Sequence, residues 1–140
     1  MSEDNYVRIL ICMLNGKDVK KILLVDDSSL LRNNLKRIIA SIPNLNLVGE
    51  AVDSTTTLRL IDELKPDVMV LDINLMHGSG IEVLSKLKKA KSRPITIIFT
   101  NYSQAAFRKA AEKLGVNYFF DKNEDIDNLF EILKRLSFSN

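Results

Sequence analysis

Short apolar runs alternate with amphipathic stretches along this chain from Lys20 to its end. Residues 22–25 and 68–71 are continuous apolar runs, and 95–99 is nearly so. Such runs are expected of strands covered on both faces. Residues 45–52 alternate more, as befits the edge of a sheet, and 117–120 supply a fifth strand. Between the runs, apolar residues fall at helical spacing. The first helix carries Leu31, Leu35, Ile38, Ile39 and Ile42, and the second Leu58, Ile61 and Leu64. The third, over 81–90, turns Val83, Leu84 and Leu87 inward; the fourth spans 103–114. The last, over 126–136, is expected to turn Ile126, Leu129, Phe130 and Leu133 inward. Ser28 or Ser29 is placed to cap the first helix and Ser54 the second. Pro43-Asn44 and Pro66 stop those two, Pro94 precedes the fourth strand, and Gly115 sits where a helix ends in a left-handed residue.

Five strand–helix units with short connections predict an α/β domain: a doubly wound, five-stranded parallel sheet wrapped by helices on both faces, with right-handed crossovers. Strand order 2-1-3-4-5 puts the first strand beside the third. Ligands of such sheets bind beyond the carboxyl ends of the strands, where the order reverses. The residues that leave four of the strands there are Asp26-Asp27, Asp72, Thr100 and Lys122. Two carboxylates about 4 Å apart repel by about 4 kcal/mol at an effective dielectric of about 20. Three in one crevice therefore call for a raised pKa or a cation. Mg²⁺ suits an all-oxygen donor set and binds beside phosphate. With Asp72 as nucleophile, Lys122 and Thr100 would stabilise the oxygens of a transferring phosphoryl group. Singly these residues are ordinary, since acids at helix starts answer the helix dipole and lone Thr and Lys residues cap or coat surfaces. Their joint placement after four of five strands points to chemistry.

Composition narrows the picture without redirecting it. A chain of 140 residues, 46% hydrophobic and 27% charged, makes one globular domain. A net charge of +2 gives no reason to expect direct DNA binding. Cys12 is the single cysteine, so an intrachain disulfide is impossible and the cytoplasm is the expected compartment. No apolar stretch approaches the roughly 18 residues of a membrane span, and Glu3 and Asp4 stand where a signal peptide carries positive charge. Residues 1–19 lie outside the five units as an amino-terminal extension, with 20–140 as the domain. Residues 6–14 of the extension are apolar apart from Arg8, and are expected to dock on the domain or on a second subunit of a homodimer.

The segments ILLVDDSSLLR, PDVMVLDINLMHGSGIEVL, IIFTNYS and GVNYFFDK carry a resemblance. In that order and spacing, residues 20–137 resemble the receiver domain of two-component response regulators, of the chemotaxis-type single-domain kind. The resemblance implies a flavodoxin-like fold and a signalling switch rather than an enzyme. It also implies a sensor histidine kinase or phosphotransfer protein as donor, and a downstream protein as partner. By it, Asp72 is the phosphoacceptor. Asp27, with Asp26 behind it, holds Mg²⁺ together with Asp72 and the Asn74 backbone carbonyl. Thr100 matches the switch hydroxyl, Lys122 the phosphate-binding lysine, Phe119 the switch aromatic, and Gly80 the glycine that opens the third helix. The fourth helix, fifth strand and fifth helix are then the expected output face, and Tyr102 stands at the pocket mouth, where it would slow water.

Two positions depart from the pattern. Receivers commonly carry Pro where this chain has Met76, and Pro, often after a cis bond, where it has Asn123. A cis bond without proline costs about 2.5–4 kcal/mol, so Lys122-Asn123 is expected to be trans. His77 has no partner histidine and is expected to face solvent in the loop after the third strand. Two other functions compete with the switch. One is a Mg²⁺-dependent phosphohydrolase of the haloacid-dehalogenase type, against which stand the adjacent aspartates and the lack of a cap insertion. The other is a receiver-shaped module that binds partners without phosphate.

Overall fold

A computed structural model describes residues 19–139 and, ahead of them, Glu3, Tyr6, Val7 and Leu10. In chain order the elements are β1 (Lys20–Val25), α1 (Ser29–Ala40), β2 (Leu45–Ala51), α2 (Ser54–Leu64), β3 (Val68–Leu71), α3 (Gly80–Leu87), β4 (Ile95–Thr100), α4 (Ala105–Lys113), β5 (Tyr118–Asp121) and α5 (Ile126–Phe138). The sheet is parallel throughout, in the order β2-β1-β3-β4-β5. This is the doubly wound, flavodoxin-like arrangement expected from the alternation.

Side chains that alternate along the central strands feed two cores. Leu23, Val25, Met69, Leu71 and Ile98 pack with Ile61 of α2, Val83, Leu84 and Leu87 of α3, and Ala111 of α4. Ile22, Leu24, Val68, Val70, Ile97 and Phe99 pack on the other face with Leu35 and Ile39 of α1 and Leu129, Leu133 and Leu136 of α5. Burial on both faces explains why β1 and β3 read as unbroken apolar runs. In register, Val25 stands beside Leu71, and Leu71 beside Ile98. The residues that follow Val25 and Leu71 therefore leave the sheet together.

Several expectations need correction. Asp53, not Ser54, caps α2: its Oδ1 accepts from the Thr56 N–H at 2.7 Å. Ser54 is the first helical residue, and its N–H donates to the His77 carbonyl at 3.0 Å. Ser28 does cap α1, accepting from the Leu31 N–H at 3.2 Å. α3 stops at Leu87 rather than 90, and α4 starts at Ala105 rather than 103. Ile126, expected inward, is 37% exposed. It opens α5 one turn ahead of Leu129, and lines a surface depression with Phe130 and Ile38 of α1. Gly115 is in the left-handed region (φ 84°) just past α4, as its position implied. The expected docking of residues 6–14 falls largely outside the described residues. Of them, Tyr6, Val7 and Leu10 are helical and exposed.

The Asp53 cap makes a pH-dependent contribution. Hydrogen bonding from Thr56 holds its carboxyl below the usual value of 3.8. A depressed carboxyl stabilises the fold above its unfolded pKa, and that stability is lost as pH falls through the folded pKa. Asp53→Ala should therefore melt at a lower temperature than the wild type at pH 7. The gap should close as pH drops below about 4, as thermal unfolding followed by circular dichroism at a series of pH values would measure.

Candidate phosphoryl and metal site

Asp26, Asp72 and Lys122, which follow β1, β3 and β5, and Thr100, the last residue of β4, meet in one crevice. The Asp72 N–H donates to the Val25 carbonyl at 3.0 Å and the Asp26 N–H to the Ala51 carbonyl at 3.1 Å, so parallel pairing continues to the first residue of each loop. Asp72 is buried, and both its oxygens are engaged. Oδ1 accepts from the Thr100 hydroxyl at 2.6 Å and, at 3.4 Å, from the Asn74 N–H. Oδ2 accepts from Lys122 Nζ at 2.8 Å. The same ammonium lies 2.7 Å from Asp26 Oδ2. Thr100 is fully buried, and its oxygen accepts in turn from the Tyr102 N–H at 3.1 Å.

Asp26, Asp27 and Asp72 each offer a carboxylate oxygen within 4.8 Å of the others. Asp26 and Asp72 are buried and Asp27 is exposed, so the donor set opens to solvent on the Asp27 side. Hard oxygens at this spacing fit Mg²⁺, which keeps some of its waters. Burial pushes the Asp26 carboxyl up, against the opposing pull of Lys122. Burial also favours the neutral amine of Lys122, but its hydrogen bonds to Asp26 and Asp72 outweigh this and hold its pKa above the usual lysine value. The crevice thus contains an acidic cluster already bridged by one cation, as expected for carboxylates that would otherwise repel.

Asp26, Asp27, Asp72, Thr100 and Lys122, singled out from the sequence, meet in this crevice. Asn74 lies in the loop two residues past Asp72, and Phe119 lies on β5, 8% exposed and turned inward. Gly80 opens α3 against the strand end, with the backbone carbonyl of Asp72 where a Cβ would stand. Tyr102 is exposed, its ring edge-on to Phe107 at 5.7 Å. His77 is exposed, as expected, and its carbonyl holds the start of α2.

The two missing prolines have a common physical reading. The Met76 N–H donates to the Val52 carbonyl at 2.9 Å, pinning the loop after Asp72 to the end of β2. The Asn123 N–H donates to Asp121 Oδ1 at 2.7 Å. Proline could make neither bond. No cis peptide occurs among the described residues, so Lys122-Asn123 is trans as expected.

Three residues at the site escaped the sequence reading. Arg32 donates to the Asp26 carbonyl at 2.7 Å and pairs with Glu50 at 3.1 Å, fixing the backbone of the acidic pair. Its place one turn into the first helix was the available signal. Asp121 and Arg108 gave no signal beyond the proximity of Asp121 to Lys122.

Fold and crevice together define a parallel α/β domain with an aspartate, a hydroxyl and an ammonium converging at its switch point. The family model described as the response regulator receiver domain matches residues 22–134. The chain therefore belongs to the response regulator receiver family. It is 30% identical over 115 residues to the transcriptional regulatory protein YdfI of Bacillus subtilis, covering 82% of this chain and 54% of that protein. It is 28% identical to the nitrate/nitrite response regulator protein NarL of Escherichia coli, covering 86% of this chain and 56% of that one. The chain thus spans about half the length of these curated relatives. The solved response regulator domain of Thermotoga maritima CheB superposes with a TM-score of 0.73 at 30% identity, covering 87% of this chain and 98% of that one.

Proposed function

We propose that this protein is a stand-alone phosphorylation switch: Asp72 accepts one phosphoryl group from a sensor histidine kinase or phosphotransfer protein, and the change is read by a downstream protein. The observation that carries this reading is the seating of the Asp72 carboxylate between the Thr100 hydroxyl and the Lys122 ammonium, at 2.6 and 2.8 Å. In the reaction, a carboxylate oxygen of Asp72 attacks phosphorus. The O–P bond forms as the P–N bond of the donor breaks, and the leaving imidazole takes a proton from solvent. Lys122 follows the incoming charge to a phosphoryl oxygen while keeping Asp26, and the Thr100 hydroxyl turns from the carboxylate to the same group. Asp26, Asp27, Asp72 and the Asn74 carbonyl are the residues that would hold Mg²⁺. When bound, that ion supplies positive charge against the carboxylates and the phosphoryl oxygens.

Thr100 and Phe119 form the switch pair, and α4, β5 and α5 the output face. Their common inward position supports this, since a phosphoryl group that engages Thr100 favours whichever packing leaves room for the Phe119 ring. Tyr102 at the mouth slows water's approach to the acyl phosphate. Residues 20–140 are the receiver unit and 1–19 an extension available for docking or dimer formation. We place the protein in the cytoplasm, with no direct DNA contact. No helix among the described residues is long and apolar enough to cross a membrane, and the net charge is small.

With Mg²⁺ and phosphoramidate, the protein should gain one phosphoryl group that acid leaves in place and hydroxylamine removes. Mg²⁺ with beryllofluoride should shift amide resonances of residues 100–122 far more than those of 45–65. Absence of labelling, or steady turnover of small phosphomonoesters in place of a single uptake, would overturn the reading.

A further inference from the structure

Lys122 must hold two buried carboxylates, yet it is delivered by a surface turn whose next residues, Asn123 and Glu124, are exposed. A lysine ammonium rides on a flexible four-carbon stem, so its aim depends on the backbone beneath it. The residue before it holds that backbone. Asp121 Oδ1 accepts from the Asn123 N–H at 2.7 Å, closing an Asx turn over Lys122 itself. The Asp121 N–H donates to Asp125 Oδ2 at 2.8 Å, and the Asp125 N–H returns to the Asp121 carbonyl at 2.9 Å. The Lys122 N–H donates to the Thr100 carbonyl at 3.0 Å. The turn is thus fixed at both ends, and to the strand that carries the switch hydroxyl.

The same carboxylate also faces the segment that follows Thr100. Hydrogen bonding from the Ser103 side chain, then from the Asn123 and Glu124 N–H groups, holds Asp121 below the ordinary carboxylate range, with the charge of Arg108 adding to it. Arg108 in turn lies 4.5 Å from the centroid of the Phe119 ring and donates to the Phe119 carbonyl at 3.4 Å. A guanidinium over a ring face is attractive, so Arg108 covers Phe119 in its inward position. One carboxylate therefore closes the turn that carries Lys122, whose N–H is held on Thr100, and its charge faces the arginine over Phe119.

We propose that Asp121 is the positioning residue of the phosphoryl pocket: it aims Lys122 and, through the Lys122 N–H on the Thr100 carbonyl and its charge toward Arg108, ties that aim to Thr100 and Phe119, so that lysine and switch pair move as one unit. A side chain can take the role because position 123 carries an N–H, which proline would lack, for the Asp121 carboxylate to hold. The inference rests on the receiver reading above. A plain loop-stabilising Asx turn would instead lower the melting temperature and leave the pocket's chemistry alone.

The test compares the full chain with its Asp121→Ala and Asp121→Asn variants by three measurements. These are Mg²⁺ affinity, the phosphoramidate labelling rate at saturating donor, and amide shifts on adding Mg²⁺ and beryllofluoride. Asp121→Ala should label about tenfold or more slowly, because a misaimed group forfeits much of the gain from orientation. Its Mg²⁺ affinity should stay near the wild-type value, since the three clustered aspartates are intact. Asp121→Asn keeps an acceptor for the Asn123 N–H but loses the charge toward Arg108. It should recover most of the rate, while the shifts at 103–108 and 119 no longer track those at 121–123. Wild-type labelling by Asp121→Ala, or shifts that still track in Asp121→Asn, would overturn the proposal. Should the alanine variant fail to fold, the asparagine variant decides through its shifts. A wild-type protein that takes up neither phosphoryl group nor beryllofluoride defeats the receiver reading, and this proposal with it.

Discussion

Asp72→Asn is expected to abolish phosphoryl uptake while leaving the protein folded. The amide has the carboxylate's shape but no anionic oxygen to attack phosphorus. Its carbonyl still accepts from the Thr100 hydroxyl, now 2.6 Å from Oδ1. Lys122 loses the 2.8 Å contact to Asp72 but keeps Asp26 at 2.7 Å. Truncating one member of a buried ion pair costs about 3–5 kcal/mol when its partner is stranded. Here the ammonium retains a second carboxylate, and the repulsion between Asp26 and Asp72 is relieved. The change in stability should therefore be well below that range. Asp27→Ala is the contrasting control, because Asp27 is exposed and outside the Lys122 bridge. It should still be labelled, but only at higher Mg²⁺. Intact-mass counting of phosphoryl groups, with melting temperatures for each variant, makes the comparison. Full labelling of Asp72→Asn would remove it from the role of acceptor.

Much of this site was legible because the features that form it are local. A run such as VMVL, short and bounded by Pro-Asp and Asp, suits the middle of a doubly covered sheet, and the residue after it then emerges at the carboxyl edge. Once the order 2-1-3-4-5 is drawn, Asp26, Asp72, Thr100 and Lys122 converge without further assumption. The missed features depend on contacts that no local pattern encodes. Asp53 and Ser54 both suit a helix cap, and the choice was made by the His77 carbonyl, which takes the Ser54 N–H from a different loop. Ile126 shares the helical phase of Leu129, but α5 meets the core only from its second turn. Met76 and Asn123 read as departures from a proline pattern until their N–H groups are found on Val52 and Asp121. Which of the paired aspartates is buried was likewise set by neighbours, since the Ser28 N–H and Lys122 both hold Asp26.

Gly80→Ala should be the most destabilising of the small substitutions near the pocket, on the order of 3 kcal/mol. In an ordinary helix the same change helps by about 1 kcal/mol, because alanine has less backbone freedom to lose. The sign reverses here because α3 begins in contact with the end of β3. A Cβ on Gly80 would meet the Asp72 carbonyl oxygen, its carbon at 3.0 Å and the Ile73 Cα at 3.1 Å. These are backbone atoms and cannot swing aside as a side chain would. The Gly80 N–H is also fixed on the Ile73 carbonyl at 2.8 Å, and Ser79 caps the helix through the Glu82 N–H at 3.1 Å. Only two movements relieve the clash. If α3 lifts, Val83, Leu84 and Leu87 leave the core they fill with Met69 and Leu71. If the strand end moves, Asp72 loses its alignment with Thr100 and Lys122. The first movement lowers the melting temperature, and the second slows labelling by phosphoramidate. Denaturant unfolding and labelling of the same preparation would show how the strain divides between them. An alanine variant as stable and as reactive as the wild type would mean that the close approach of α3 to β3 is not what positions Asp72.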